Sequence, residues 1–406
     1  MLTLVRRAAM TSRRVSRRRV PSKLPRQQRG VALLATLILM LAVTLVLGNI
    51  FYRHQMDVSQ ATGSLHGDQA ILLAMSGESW ARDLLASAND DLTVDNFDED
   101  WAQAVPLLPV DGGTLAGCIV DLQSQINLNN YGTYTDKRLS DERASTAMGY
   151  AKLWDNVLTL LDIPVDASKV AVLVDWLDSD SELVNSAGAE QPDYSRFTPP
   201  RFPPNSAISD TAELAAMVGY RLTDVQQLMP WIVALPAPTA ININTAPEPI
   251  LLALSDGLAR EFVDLVRDNR PFMTTADFYQ LMADYLVVPQ DEVKQRWPET
   301  LIDVKSTFFQ LNLEVTLGQA RLEVKSVLDR TDRSAPIVIS REITVVPAGV
   351  ATVTSASDLT EDDNPDADDS AGRQYDDDSP WKNKNAYLRP LCDFSDRQQD
   401  NNLGAL

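Results

Sequence analysis

Residues 31–52, VALLATLILMLAVTLVLGNIFY, run for 22 positions without a formal charge. As a helix they span about 33 Å, close to the hydrocarbon thickness of a bilayer, so one membrane pass near the N-terminus is the first expectation. Residues 1–29 hold ten basic residues and no acidic one. Positive charge beside an apolar segment stays cytoplasmic, which sends the rest of the chain across the membrane, into the periplasm of a two-membrane bacterium. That remainder sets 26 Lys and Arg against all 56 Asp and Glu, a net charge of −30, and a body so acidic speaks against a nucleic-acid surface. Secretory cleavage fits poorly, because LGNIFYRHQ after the run offers no small-x-small site. An uncleaved signal anchor is the simplest reading of the segment.

The junction supports a sharper one. Arg29 and Gly30 stand immediately before the apolar run, and this resembles a type IV prepilin leader. In that family the prepilin peptidase cuts after the Gly and the helix remains as the assembly element, which implies a mature chain starting at Val31. Most pilins carry Glu at the fifth mature position, where this chain has Ala35. A carboxylate in lipid is costly and needs a partner, in pilins the amino terminus of the subunit above. A subunit without it fits a position with nothing above, which is the pattern of a tip subunit.

Beyond the membrane, residues 53–88 lack proline and place Leu73, Gly77, Trp80 and Leu84 at helical spacing. His54 and His66, the two histidines of the chain, are more than three turns apart, too far to share a metal, and read as exposed helix positions. After an acidic loop at 90–100 and the breakers Pro106, Pro109, Gly112 and Gly113, residues 115–122 read as a strand. The next strand candidates are FFQLNLEVTL, RLEVKSVLDR and IVISREITVV, after residue 307, alternating as antiparallel strands do. About 180 residues between them read helical, including AMGYAKLWDNVLTLL, SKVAVLVDWLDS, DTAELAAMVGY and TTADFYQLMADYLV. The expected fold class is α+β: an N-terminal transmembrane helix and a pilin-like antiparallel sheet interrupted by a large α-helical insertion. The segments are a basic leader (1–30), the membrane helix (31–52), a pilin-like helix, loop and first strand (53–122), the inserted domain (123–304), the C-terminal strands (305–347) and an acidic tail (348–406) that is disordered on composition.

INLNN (126–130) and ININT (241–245) are a faint internal echo, each preceding helical sequence. The second opens what looks like a helix-hairpin-helix unit, with its hairpin in LSDGLAREF. A hairpin that holds DNA meets phosphate through backbone N–H groups among basic neighbours. Here Arg260 is flanked by Asp256 and Glu261, so structural use of the module is the stronger reading. No catalytic set stands out. Cys118 reads as a small buried residue, and the sequence does not settle whether it pairs with Cys392. Residues 381–392, WKNKNAYLRPLC, are a docking motif or a solvated stretch of tail.

The densest polar cluster is DWLDSDSELVNSAGAEQPDYSRFTPPRFPPNS, residues 175–206. Asp175, Asp178, Asp180, Glu182, Glu190 and Asp193 there repel one another unless solvated or neutralised by a hard cation such as Ca²⁺. The spacing is not that of an EF-hand: a loop from Asp178 has Leu183 at its sixth position and Ala189 at its twelfth. Glu190 and Asn205 or a carbonyl could complete a shell of another design. On spacing alone a solvated loop and a cation site stand level.

Together, RGVALL with Ala35, INLNN, DWLDSDSE followed by GAEQPDY, ELAAMVGY and ININTAPEPILLAL, in that order, resemble the minor pseudopilin K family of type II secretion systems over nearly the whole chain. The resemblance implies a non-enzymatic assembly protein at the tip of a periplasmic pseudopilus. Implied partners are the other minor pseudopilins, of I, J and H types, the prepilin peptidase and the inner-membrane secretion platform, with no nucleic acid. It also implies structural calcium at Asp178, Asp180 and Glu190, with Asp175, Glu182, Asp193 and Asn205 as further candidates. The acidic tail departs from the family pattern. The rival expectation is a membrane-anchored periplasmic helix-hairpin-helix binding module, possible for DNA.

Overall fold

The computed structural model describes residues 28–86, 94–103, 105–255, 257 and 259–346. The basic leader up to residue 27 and the acidic tail, with residues 381–392 and Cys392, lie outside the described residues. The chain divides into two compact units, Met1–Thr62 and Gly63–Leu406. In the first, residues 31–52 belong to helix α1 (Gln28–Ala86) and are exposed along their whole length. This helix is long and apolar enough to cross a membrane. Its first turn includes Gly30, so the helix runs through the junction at Gly30 and Val31.

The second unit is α+β, as the alternation in the sequence requires. Strands β1 (Val105–Val110) and β2 (Gly113–Asp121) are followed by the insertion and its short strands β3 (Ile126–Asn127), β4 (Ile232–Val233), β5 (Ile241–Asn242) and β6 (Ile302–Asp303). The long strands β7 (Phe308–Leu317), β8 (Ala320–Asp329) and β9 (Ile337–Val346) close the chain's described part. One antiparallel sheet runs β1-β2-β7-β8-β9. Strand β1 is a departure from expectation, since Pro106 and Pro109 read as breakers. At a sheet edge a proline's missing N–H removes no ladder bond, and β1 is that edge. Gly113 must be glycine: a Cβ there would lie 1.8 Å from the Thr316 carbonyl oxygen on β7.

The sheet packs against the part of α1 beyond residue 62. The face that meets it is Ala70, Ala74, Gly77, Ala81 and Leu85, opposite Ile119, Phe309, Leu311, Leu313 and Val315. This corrects the expected stripe: Trp80 is exposed and Leu73 and Leu84 are half-buried. Small residues at helical spacing let the helix sit close on the sheet, and a Cβ on Gly77 would come within 2.9 Å of Leu313 Cδ1. Glu78, buried on the same face, accepts from Ser326 Oγ on β8 and pairs with Arg341 on β9. Burial pushes its pKa up, but Arg341 and Ser326 outweigh this and hold it below the usual carboxylate range. His54 is exposed as expected, whereas His66 is half-buried, beside Gly318. Cys118 is buried, as expected, and is disulfide-bonded, a point the sequence left open.

The insertion holds helices α2 (Asp136–Ala144), α3 (Tyr150–Leu160), α4 (Ala167–Leu177), α5 (Gln191–Tyr194), α6 (Leu222–Leu228), α7 (Glu248–Leu254), α8 (Arg260–Asp268), α9 (Thr275–Leu286) and α10 (Gln290–Arg296) around a large apolar core of its own. DTAELAAMVGY is not an α-helix but a 3-10 segment, Thr211–Ala216, with α6 following. The echo is a structural repeat. β3 pairs in parallel with β4, and β5 with β6. Asn129 donates to the carbonyl of Ile208 and accepts from its N–H (2.9 and 2.8 Å), and Asn244 does the same with Phe272 (3.0 and 2.8 Å). In each copy the asparagine two residues earlier, Asn127 or Asn242, accepts the N–H of that Asn through its own Oδ1. Side-chain amides thus satisfy backbone groups of distant loops that have no sheet to join.

A buried polar seam joins the insertion to the sheet. Asp121, the last residue of β2, accepts from Thr245 Oγ1 (2.5 Å), Ser306 Oγ (2.6 Å) and Asn242 Nδ2 (3.1 Å). Asp95 pairs with Arg330, just past β8, and accepts from the Ser306 N–H at 2.7 Å. Arg330 in turn donates to the Ser306 carbonyl. Asp95 and Arg330 are each about 1% exposed, so removing Arg330 leaves a carboxylate in a dry site with Arg333, 31% exposed and 3.3 Å away, as its remaining cation. Arg330→Ala is expected to cost roughly 3 to 5 kcal/mol of unfolding free energy, and Asp95→Asn with Arg330→Met together less than Arg330→Ala alone, read by urea denaturation of the soluble body.

Candidate metal centre

Helix α4 is apolar almost throughout and buried from Lys169 to Leu177. It ends where the acidic sequence begins: Asp178 is its C-cap, in extended conformation. Asp175, in the last turn and fully buried, aims its carboxylate at the loop that follows. Its Oδ1 accepts from the Val184 N–H at 2.8 Å and its Oδ2 from the Ala189 N–H at 2.7 Å. These two bonds fold the loop back onto the helix end. The return requires glycine at 188, where a Cβ would sit 1.9 Å from Asp175 Oδ2.

The consequence is that Glu190, twelve residues after Asp178, comes to lie beside it. One carboxylate oxygen each from Asp178, Asp180 and Glu190 lie within 4.8 Å of one another. At that separation two full charges repel by about 3 to 4 kcal/mol at an effective dielectric of about 20. Glu190 is buried, and neither of its carboxylate oxygens has a hydrogen-bond donor. Asp178 Oδ1 is likewise buried without a donor. Asn205, held in the left-handed region at φ 45°, donates its Nδ2–H to the Asp180 carbonyl and leaves its own Oδ1 buried and unpaired. Four buried oxygen acceptors with no proton donor among them are a poor arrangement for an empty loop and a good one for a hard cation.

The remaining candidates from the sequence take other positions. Asp175 spends both oxygens on the loop's amides. Glu182 is exposed and its N–H donates to Asp180 Oδ1 at 2.8 Å. Asp193 accepts from the Glu190 N–H at 3.3 Å and pairs with Arg196. Gly188 and its contact with Asp175 escaped sequence reading, and GAEQPDY, a glycine just before the acidic return, was the available signal.

Burial, then the charges of Asp175, Asp178 and Asp180, push the Glu190 pKa up to about 7. Burial lifts Asp175 to about 6 against the two loop amides that lower it, and burial and Asp180 raise Asp178. A set of oxygens alone, three of them anionic, suits Ca²⁺ better than a metal that prefers nitrogen or sulfur. The raised values have a consequence for the chelated protein. A folded chain that holds protons an unfolded chain has already released loses stability as pH rises between the two pKa values. Unfolding midpoints measured in chelator are therefore expected to fall from pH 5 to pH 7.5, and Glu190→Gln is expected to flatten that slope.

Residues 124–237, which contain every atom of this cluster, match the family model described as Type II secretion system (T2SS), protein K. The chain is 29% identical to the type II secretion system protein K of Aeromonas hydrophila over 324 residues, covering 78% of this chain and 97% of that protein. It is 27% identical to the protein of that name from Pseudomonas aeruginosa over 332 residues, 78% of this chain and 93% of the relative. The chain is similar to type II secretion system protein K along most of its length. A solved structure similar to this chain belongs to the GspK-GspI-GspJ complex from the enterotoxigenic Escherichia coli type 2 secretion system. The two align with a TM-score of 0.60 and 23% identity, over 70% of this chain and 99% of the other, which shows a shared fold.

Proposed function

We propose that this protein is a minor pseudopilin of the type II secretion system and stands at the tip of the pseudopilus, where it initiates or caps assembly for the export of folded proteins across the outer membrane. The observation that carries the reading is the insertion of a whole helical domain between neighbouring strands β2 and β7 of a pilin-like sheet. A subunit with that bulk on its sheet obstructs the addition of another above it. Ala35, in place of the usual pilin glutamate, supports the same position, since such a subunit has no amino terminus above it to pair with. The solved complex of the similar chain contains GspI and GspJ, and we take the corresponding minor pseudopilins, with an H-type subunit, as partners here. The role is structural, with no catalysis. The protein is anchored in the inner membrane by one helix, with its body in the periplasm, engages the inner-membrane secretion platform, and is cut between Gly30 and Val31 by the prepilin peptidase.

A nucleic-acid role for the helix-hairpin-helix segment finds no support in charge. Arg260 and Arg267 are paired with the α7 glutamate, Glu248, at 2.7 and 3.9 Å, so the positive charge they present beside the hairpin is offset by an acid. Expressed with the peptidase, the chain is expected to begin at Val31 and to co-purify with I- and J-type pseudopilins. A chain that retains Met1 when expressed with the peptidase sinks the assembly route, and a salt-dependent DNA shift by the body would favour the rival module.

Asp178, Asp180, Glu190 and the Asn205 side-chain oxygen would hold a structural Ca²⁺, which supplies the positive charge these acceptors lack. With it, the loop from Asp178 to Asn205 is pinned to the end of α4. Millimolar Ca²⁺ is expected to raise the thermal midpoint of the chelated protein by several degrees, and Glu190→Gln or Asp178→Asn to abolish the rise. An unchanged midpoint excludes a stabilising site.

A further inference from the structure

The two edges of the sheet are built differently. Strand β1 is six residues long, carries Pro106 and Pro109, and its register with β2 shifts between Val105 and Leu108. Prolines and irregular pairing close an edge to further strands. At the other edge, β9 is ten residues long with neither proline nor glycine, and among the described residues it is paired on one side only. Its bulge lies at Ile339, and from Ser340 to Val346 the pairing with β8 is regular. Along that stretch a row of backbone N–H and C=O groups points away from β8 with no ladder to join.

The side chains of this stretch are as open as its backbone. Arg341, Ile343 and Val345 stand opposite Ser326, Val324 and Leu322 of β8, and so share the face that packs on α1. Ile343 and Val345 are nevertheless exposed, Val345 to 68%. A helix about 10 Å wide cannot cover five strands that span about 20 Å, and the cover stops short of the second half of β9. Beside α1 lies a cleft of about 300 Å³, lined by Met75, Glu78 and Arg82 of the helix and by Val338 and Arg341 of β9. Two arginines meet one carboxylate there, so this rim of a strongly acidic chain is positive.

We infer that β9 receives an added strand, an extended segment of an I- or J-type minor pseudopilin paired along Ser340–Val346. On the α1 side of the sheet that segment carries apolar side chains beside Ile343 and Val345 and an acidic one beside Arg341. Backbone pairing supplies affinity, and the alternating side chains supply the choice of partner. The choice of a pseudopilin as donor rests on the assembly reading above. β9 lies two strands from β7, where the insertion returns to the sheet, so the bulk that obstructs addition above leaves this edge open to a neighbour alongside.

The test uses the full chain, co-expressed with the I- and J-type subunits and purified from inner membranes in detergent. Residue-resolved amide exchange is compared between the chain alone and the complex. Alternate amides from Ser340 to Val346 are expected to slow in the complex while β1 stays unchanged, because an added strand ties only the groups that point away from β8. A benzophenone side chain placed at Thr344 is expected to join one stretch of the I- or J-type subunit. Unchanged exchange along β9 in a complex that still holds both partners overturns the added strand and leaves the assembly reading standing, whereas partners that never co-purify remove both. Adducts to a second copy, or to the chain's own sequence beyond residue 346, overturn it as well. So does protection without alternation, the pattern of a helix laid over the apolar strip. Ile343→Lys with Val345→Lys is expected to lower partner recovery about tenfold and to leave the thermal midpoint of the isolated chain unmoved, since both side chains are exposed. Recovery equal to that of the parent chain overturns the proposal.

Discussion

The second unit depends on the polar seam at the end of β2. An insertion of this size between two hydrogen-bonded neighbours threatens the register of both, because any slack at its ends lets β7 slide along β2. A slip of one residue would turn Leu311, Leu313 and Val315 away from α1 and toward the outer face. Asp121 prevents it by gathering donors from three separate stretches, Asn242, Thr245 and Ser306, while Arg330 and Asp95 fix the far side of the same spot. Burial raises the Asp121 pKa, with the Ser306 and Thr245 hydroxyls working against it and the nearby Asp95 charge adding to it. Such a carboxylate persists in a dry position only because its acceptors are so fully used.

The same economy of backbone satisfaction runs through the insertion. Its loops cannot form a large sheet, so asparagine amides stand in for strands, twice, at Asn129 and Asn244. At the acidic loop the backbone amides of Val184 and Ala189 meet a carboxylate instead. The aromatic cluster of Tyr131, Tyr150, Trp154 and Tyr220 combines edge-to-face ring packing with the same device, since Tyr131 donates its hydroxyl to the Tyr150 carbonyl and Trp154 its indole N–H to the Tyr220 hydroxyl.

What the sequence made legible follows from range. The uncharged run, the alternation of β7 to β9 and the helices α3, α4 and α9 are local patterns, and they were readable. Strand β1 was hidden because its prolines carry the opposite local signal and only the edge position excuses them. The segment from 211 to 216 was read as α-helical, whereas it is a 3-10 segment opened by a capping box of Asp210 and Glu213. The buried residues that follow, Leu214, Met217 and Tyr220, recur at spacing three, the period of a 3-10 turn. In the acidic loop, Asp178, Asp180 and Glu190 were visible as carboxylates in the right region. The anchoring use of Asp175 was not, since it depends on amides nine and fourteen residues away. Contacts of the seam, separated by more than a hundred residues, leave no trace in any window of sequence.

The insertion leaves the sheet at Asp121 and returns at Phe308, and the register sets Asp121 opposite Phe309 on the neighbouring strand. Its two ends are therefore side by side at one rim, the spacing that a tight hairpin would otherwise bridge. Once the seam at Asp121 holds the register, a domain hung on such a doorway needs no further change in the strands that frame it, and closing a loop costs little more as the loop lengthens. Elaboration at this rim, from a short turn to a complete helical domain, is a change that a pilin sheet can absorb without rebuilding any strand.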